Sequence, residues 1–86
     1  MKRVLVLISL IWMVVNVNAL DPKALIKEAN GHYANNEFDE AIKKYKLVLE
    51  SGHLSAGLYY NLGNAYYKTH NIKNAILFYE RAKFDR

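Results

Sequence analysis

The chain has 86 residues with a formal net charge of +4, and its 23% of charged residues mix both signs. It contains no cysteine, which excludes a disulfide framework, a thiolate metal site and a lipid-modified cysteine. The basic residues alternate with acids and asparagines instead of forming a stripe, so no nucleic-acid partner is expected.

The first expected element is not part of the fold. Met1-Lys2-Arg3 is positive, Val4 to Val15 is apolar except for Ser9, and Asn16-Val17-Asn18-Ala19 is short and polar. That tripartite order is the pattern of a secretory signal peptide over residues 1–19, with a cut after Ala19. The apolar run falls short of the roughly 20 residues that a permanent spanning helix needs. The rest of the chain is therefore expected outside the cytoplasm, in the periplasm, with membrane contact only where the signal helix stays attached. Lys2 and Arg3 leave with the signal and no acid does, so the remainder carries +2.

Shifting the remainder against itself by 34 positions aligns Asn30 with Asn64, Tyr33 with Tyr67, Ala41 with Ala75, Ile42 with Ile76 and Tyr45 with Tyr79. The same shift pairs Ala29 with Gly63, Phe38 with Ile72 and Val48 with Ala82. A period of this length predicts stacked helical hairpins, residues 20–54 forming one and 55–86 the next. The fold class is all-α, two antiparallel hairpins behind a signal helix.

In each hairpin the local signals name the helices. Asp21 offers a capping oxygen and Pro22 fits the first helical position, where its missing N–H would be unpaired anyway. This first helix is expected to reach Asn35, with Leu25, Ala29, His32 and Tyr33 at helical spacing, and Asn35-Asn36 to turn the chain. A second helix follows from Phe38 to Glu50, presenting Phe38, Ala41, Ile42, Tyr45, Val48 and Leu49 on one side and Lys43 and Lys44 on the other. Gly52 ends it. Ser55 caps a third helix to Lys68, His70-Asn71 turns, and a fourth runs from Ile72 to about Lys83. Small residues at Ala29, Gly63, Ala41 and Ala75 let paired helices approach, while Tyr45, Tyr79, Phe38 and Ile72 fill the space between hairpins.

Tyr59-Tyr60-Asn61-Leu62-Gly63-Asn64-Ala65-Tyr66-Tyr67-Lys68 resembles the first-helix consensus of the tetratricopeptide repeat family, and Asn74-Ala75-Ile76 with Tyr79-Glu80-Arg81-Ala82 resembles its second helix. The first repeat is looser but keeps Ala29, Tyr33, Phe38, Asp39-Glu40-Ala41-Ile42 and Tyr45. With its signal peptide, the chain is similar to the N-terminal repeats of exported, BatE-like tetratricopeptide proteins of the Bacteroides aerotolerance type. Three positions depart from the family pattern. His32 stands where Tyr or Leu is usual, and His70 where Gly is usual. After Ala82 the family adds a linker and a further repeat or capping helix, so the sequence reads as the opening part of a longer protein.

The resemblance implies a protein-interaction scaffold whose first helices line a concave groove. It places Asn30 and Tyr33 of the first repeat, and Tyr60, Asn61, Asn64, Tyr67 and Lys68 of the second, on that face. Asparagine amides both donate to and accept from an extended peptide, and lysine attracts a carboxylate. Some family members clamp a partner's C-terminal carboxylate this way, but Ile26 replaces the lysine expected one turn before Asn30. The partner is thus an unidentified protein or peptide. A second surface is expected on the last helix, where Leu77 and Phe78 replace Lys43 and Lys44, joined by Phe84. Docking through this face, onto a second copy or a larger envelope assembly, is the alternative role.

No chemistry of another kind is indicated. His32, His53 and His70 have no ligand partner at helical spacing, where zinc needs three or four convergent ligands. Ser9, Ser51 and Ser55 lack a nucleophile motif, and no glycine-rich phosphate loop occurs. No catalysis, metal or cofactor is expected.

Overall fold

A computed structural model describes residues 21–84; the expected signal helix over 1–19 lies outside the described residues, as do Asp85 and Arg86. Four helices of 13 residues follow one another: α1 (Pro22–Ala34), α2 (Phe38–Glu50), α3 (Ala56–Lys68) and α4 (Ile72–Phe84). The chain is all-α across these residues, and each start is dictated locally. Asp21 Oδ1 accepts from the Lys23 N–H at 3.1 Å, with Pro22 at the first helical position. Ser55 Oγ accepts from the Leu58 N–H at 3.1 Å, and Asn71 Oδ1 from the Asn74 N–H at 3.3 Å. These oxygens satisfy amides that a helix start leaves unpaired. At α2 the capping residue Glu37 makes no such bond, and Asp39 and Glu40 meet the positive helix end instead.

The turns within the two hairpins are copies of each other. The Asn36 N–H donates to Tyr33 O at 3.0 Å and the Glu37 N–H to His32 O at 2.8 Å. One period later the His70 N–H donates to Tyr67 O at 3.0 Å and the Asn71 N–H to Tyr66 O at 2.9 Å. Such a pair of bonds needs a left-handed residue just past the helix end, usually glycine. Here it is Asn36 at φ 63° and His70 at φ 64°, a conformation that a residue with a β-carbon adopts at some cost. Gly52, at φ 88°, occupies the matching place after α2.

Turns this short fold α1 back on α2 and α3 back on α4, and α2 packs against α3 to join the hairpins. The core runs through both: Leu25, Ala29, Ala41, Tyr45 and Val48 from the first hairpin, Leu58, Tyr59, Leu62 and Phe78 from the second. Val48 and Leu62 are its largest fully buried side chains. Removing a side chain of that size from water contributes about 1.5–3 kcal/mol. The close approach at Gly63 is steric: a methyl there would lie 2.5 Å from the Tyr79 ring.

Two expectations about side-chain direction are overturned. Phe78 is 6% exposed, so it belongs to the core and not to an outer docking face. Its ring stacks on Tyr66 at a centroid distance of 5.6 Å and on Tyr59 at 6.2 Å, with the Arg81 guanidinium 5.2 Å from its centre. Aromatic burial of this kind outweighs the benefit of exposing the ring to a partner. Ile72, expected to fill space between hairpins, is exposed, because among the described residues no helix covers that side of α4. Tyr59, unmarked by the repeat, is buried against Phe78.

Candidate functional site

The groove between the hairpins is built from one interaction repeated 34 residues apart. The Tyr45 hydroxyl on α2 donates to Asn30 Oδ1 on α1, and the Tyr79 hydroxyl on α4 donates to Asn64 Oδ1 on α3 at 2.5 Å. Each bond ties a second-helix phenol to a first-helix carboxamide and fixes which way the amide faces. With its oxygen engaged, the amide nitrogen is the part of each asparagine left to meet a ligand. Burial pushes the Tyr45 phenol above its ordinary value, and the neighbouring Tyr33 adds to the shift. Burial also raises Tyr79, followed by Tyr60, Tyr33 and Tyr67. Both phenols therefore stay neutral donors at physiological pH.

Asn30, Tyr33, Tyr45, Asn61 and Asn64 line one cavity of about 230 Å³. Its walls are amides and phenols without a charged side chain. Amide donors suit carbonyl or carboxylate oxygens, and phenol faces suit apolar or planar groups. Tyr33 is held at the groove's edge by Phe38, whose ring meets it edge-on at 5.1 Å.

Four of the seven expected groove residues, Asn30, Tyr33, Asn61 and Asn64, thus converge. The other three do not join them. Tyr60 lies in a separate hollow with Tyr79, Ala82 and Lys83. Tyr67 and Lys68 face a third, beside His70 and Ile72 at the second turn. Residues three or four apart share a helix face, but the groove is only as wide as its neighbouring helix allows. Tyr45 was missing from the sequence-derived site. Its signal was the exact recurrence, at one period, of a Tyr and an Asn able to bond each other. Of the expected docking face, Leu77 and Phe84 are exposed while Phe78 is not.

The histidines find local polar neighbours: His32 Nδ1 lies 3.2 Å from Glu37 Oε1, and His53 Nδ1 lies 3.0 Å from Ser51 Oγ. Among the described residues no three His, Cys, Asp or Glu side chains gather as a metal site. Among the same residues no helix is long and apolar enough to cross a membrane. Compared with known proteins, the chain matches no family model and no curated protein.

Proposed function

We propose that this chain is an exported interaction scaffold of tetratricopeptide type, which holds a protein or extended peptide in the groove between α1 and α3. The observation that carries the reading is the repeated Tyr–Asn bond, which orients two amides one repeat apart above an uncharged cavity. Oriented amides match the carbonyls that every extended peptide presents, so affinity comes from the backbone and selectivity from pockets for side chains. The walls of amides and phenols support a reading of this cavity as a binding site. The signal pattern of residues 1–19 puts this work in the cell envelope.

The test is calorimetric titration of the full chain with a hexapeptide, extended to about 20 Å and so on the order of the length of the helices lining the groove, selected from a random library. Asn30→Ala and Asn64→Ala are each expected to weaken binding by about tenfold, the loss of roughly one charge-free hydrogen bond and its orienting partner. Unchanged affinity in both variants, or a library that yields no binder, overturns the reading.

A further inference from the structure

The groove does not end at the two oriented amides. A second cavity, of about 220 Å³, adjoins the first and is lined by Ile26 of α1, Tyr45 of α2, and Ser55, Gly57, Leu58 and Asn61 at the start of α3. Tyr45 and Asn61 belong to both cavities, so the two are successive stretches of one trough between α1 and α3. Their walls differ. Three asparagine amides and two phenols face the first. Leu58, which is buried, and Ile26, which is half-buried, face the second, and Gly57 adds no side chain. No charged side chain lines either cavity. The second is larger than the roughly 150 Å³ of an apolar cavity that holds a benzene ring.

Gly57 keeps this space open. Gly57, Asn61 and Asn64 stand at i, i+4 and i+7 on α3, and both asparagines face the groove, so a side chain at position 57 would project to the same face. A β-carbon there would meet only Ser55 Oγ, at 4.0 Å, so the chain's own packing does not demand glycine. What glycine provides is an open floor beside Ile26 and Leu58.

We infer that this cavity is a side-chain subsite of the groove, accepting one large uncharged aliphatic residue of the bound peptide, and that Gly57 sets the size it accepts. The subsite rests on the peptide groove proposed above and adds to it the chemistry of one residue. The spacing suits an extended occupant. Ile26 and Asn30 are about one helical turn apart, roughly 6 Å along the axis, and alternate residues of an extended peptide are about 6.6 Å apart. A peptide with one residue over Asn30 thus presents the residue two positions away to the cavity beside Ile26. Removal from water favours leucine over alanine there, and desolvation without a counter-charge rejects lysine or aspartate.

The probe is the hexapeptide selected from the random library, titrated into the full chain beside versions with alanine or lysine at each position in turn. One position is expected to carry leucine or an equally large aliphatic residue, alanine there weakening binding about tenfold and lysine more. Gly57→Leu should weaken the parent peptide about tenfold yet leave the alanine version unchanged, because the new side chain and the peptide's compete for one space. The melting temperature should hold or rise in that variant. Ile26→Ala, which widens the cavity from the α1 side, should shift the preference from leucine to phenylalanine. No position that demands a large apolar residue, or equal loss for both peptides in Gly57→Leu, overturns the subsite. Should Gly57→Leu lower the melting temperature, the Ile26→Ala shift decides, and its absence overturns the subsite. Asn30→Ala separates the two claims: weakened binding there with Gly57→Leu silent ends the subsite and keeps the groove, whereas a library without a binder ends both. Sedimentation showing a dimer that Gly57→Leu dissociates also overturns the subsite, by making a second copy the occupant.

Discussion

The two hairpins share turn geometry, helix length and a Tyr–Asn bond, yet they are held together by different forces. At one pair of equivalent positions the first hairpin has Glu28 and Lys44, an ion pair at 3.2 Å on partly exposed side chains. The second has Leu62 and Phe78, both in the core. An exposed ion pair contributes about 0–1 kcal/mol, because water already solvates both charges. Burial of Leu62 and Phe78 contributes several times as much. At these two positions the second hairpin is therefore the firmer unit. The first draws its stability from contact with α3, through Tyr45 and Val48. On the outer sides the contrast is reversed: α1 shows a polar surface around Glu28, and α4 shows Ile72 and Ile76. Identical backbones thus differ in what their surfaces can accept.

This contrast is most exposed to a pair of truncations at matched positions. Leu62→Ala should destabilise the chain by about 2–5 kcal/mol, enough to unfold much of so small a domain, whereas Glu28→Ala should cost under about 1 kcal/mol. Urea melts of both variants would show the difference, and similar losses would break the comparison.

A smaller effect separates the two tyrosines at high pH. The Tyr45 phenol is raised from 10.0, so the unfolded chain loses its proton first. Stability from that group is complete below pH 10.0 and is lost as pH rises through the folded value. Tyr45→Phe should flatten the alkaline fall in melting temperature more than Tyr79→Phe does, because Tyr45 is the more deeply covered ring. Equal flattening would mean that the uncovered end of α4 protects Tyr79 as well as α3 protects Tyr45.

The smallest expected change sharpens the likeness of the two turns. His70→Gly should stabilise the chain by roughly 0.5–1 kcal/mol, since a left-handed residue with a β-carbon is strained and glycine is not. The gain is read as a rise in melting temperature. The same change at Asn36 should gain less, because asparagine tolerates that conformation better than histidine.

Much of the fold was legible in residue order. Caps and turn residues act on their own few neighbours, so Asp21, Ser55, Gly52 and His70 marked the helix limits to within a residue or so. The 34-residue recurrence paired the helices and placed Asn30 and Asn64 on related faces. Sequence also aligned Lys44 with Phe78 correctly but read the aromatic as outward. Equivalent positions share a direction, and Lys44 itself leans inward, toward Glu28. Which way that direction leads, into a core or toward water, depends on the residues across the interface, here Tyr59 and Tyr66. The groove's true extent is likewise a tertiary fact. Helical spacing grouped Tyr60 and Tyr67 with Asn64, but packing of α3 between its neighbours divided them among three hollows. Local chemistry, which needs only adjacent residues, was settled by the sequence; long-range burial, which needs a partner surface, was decided only when the helices met.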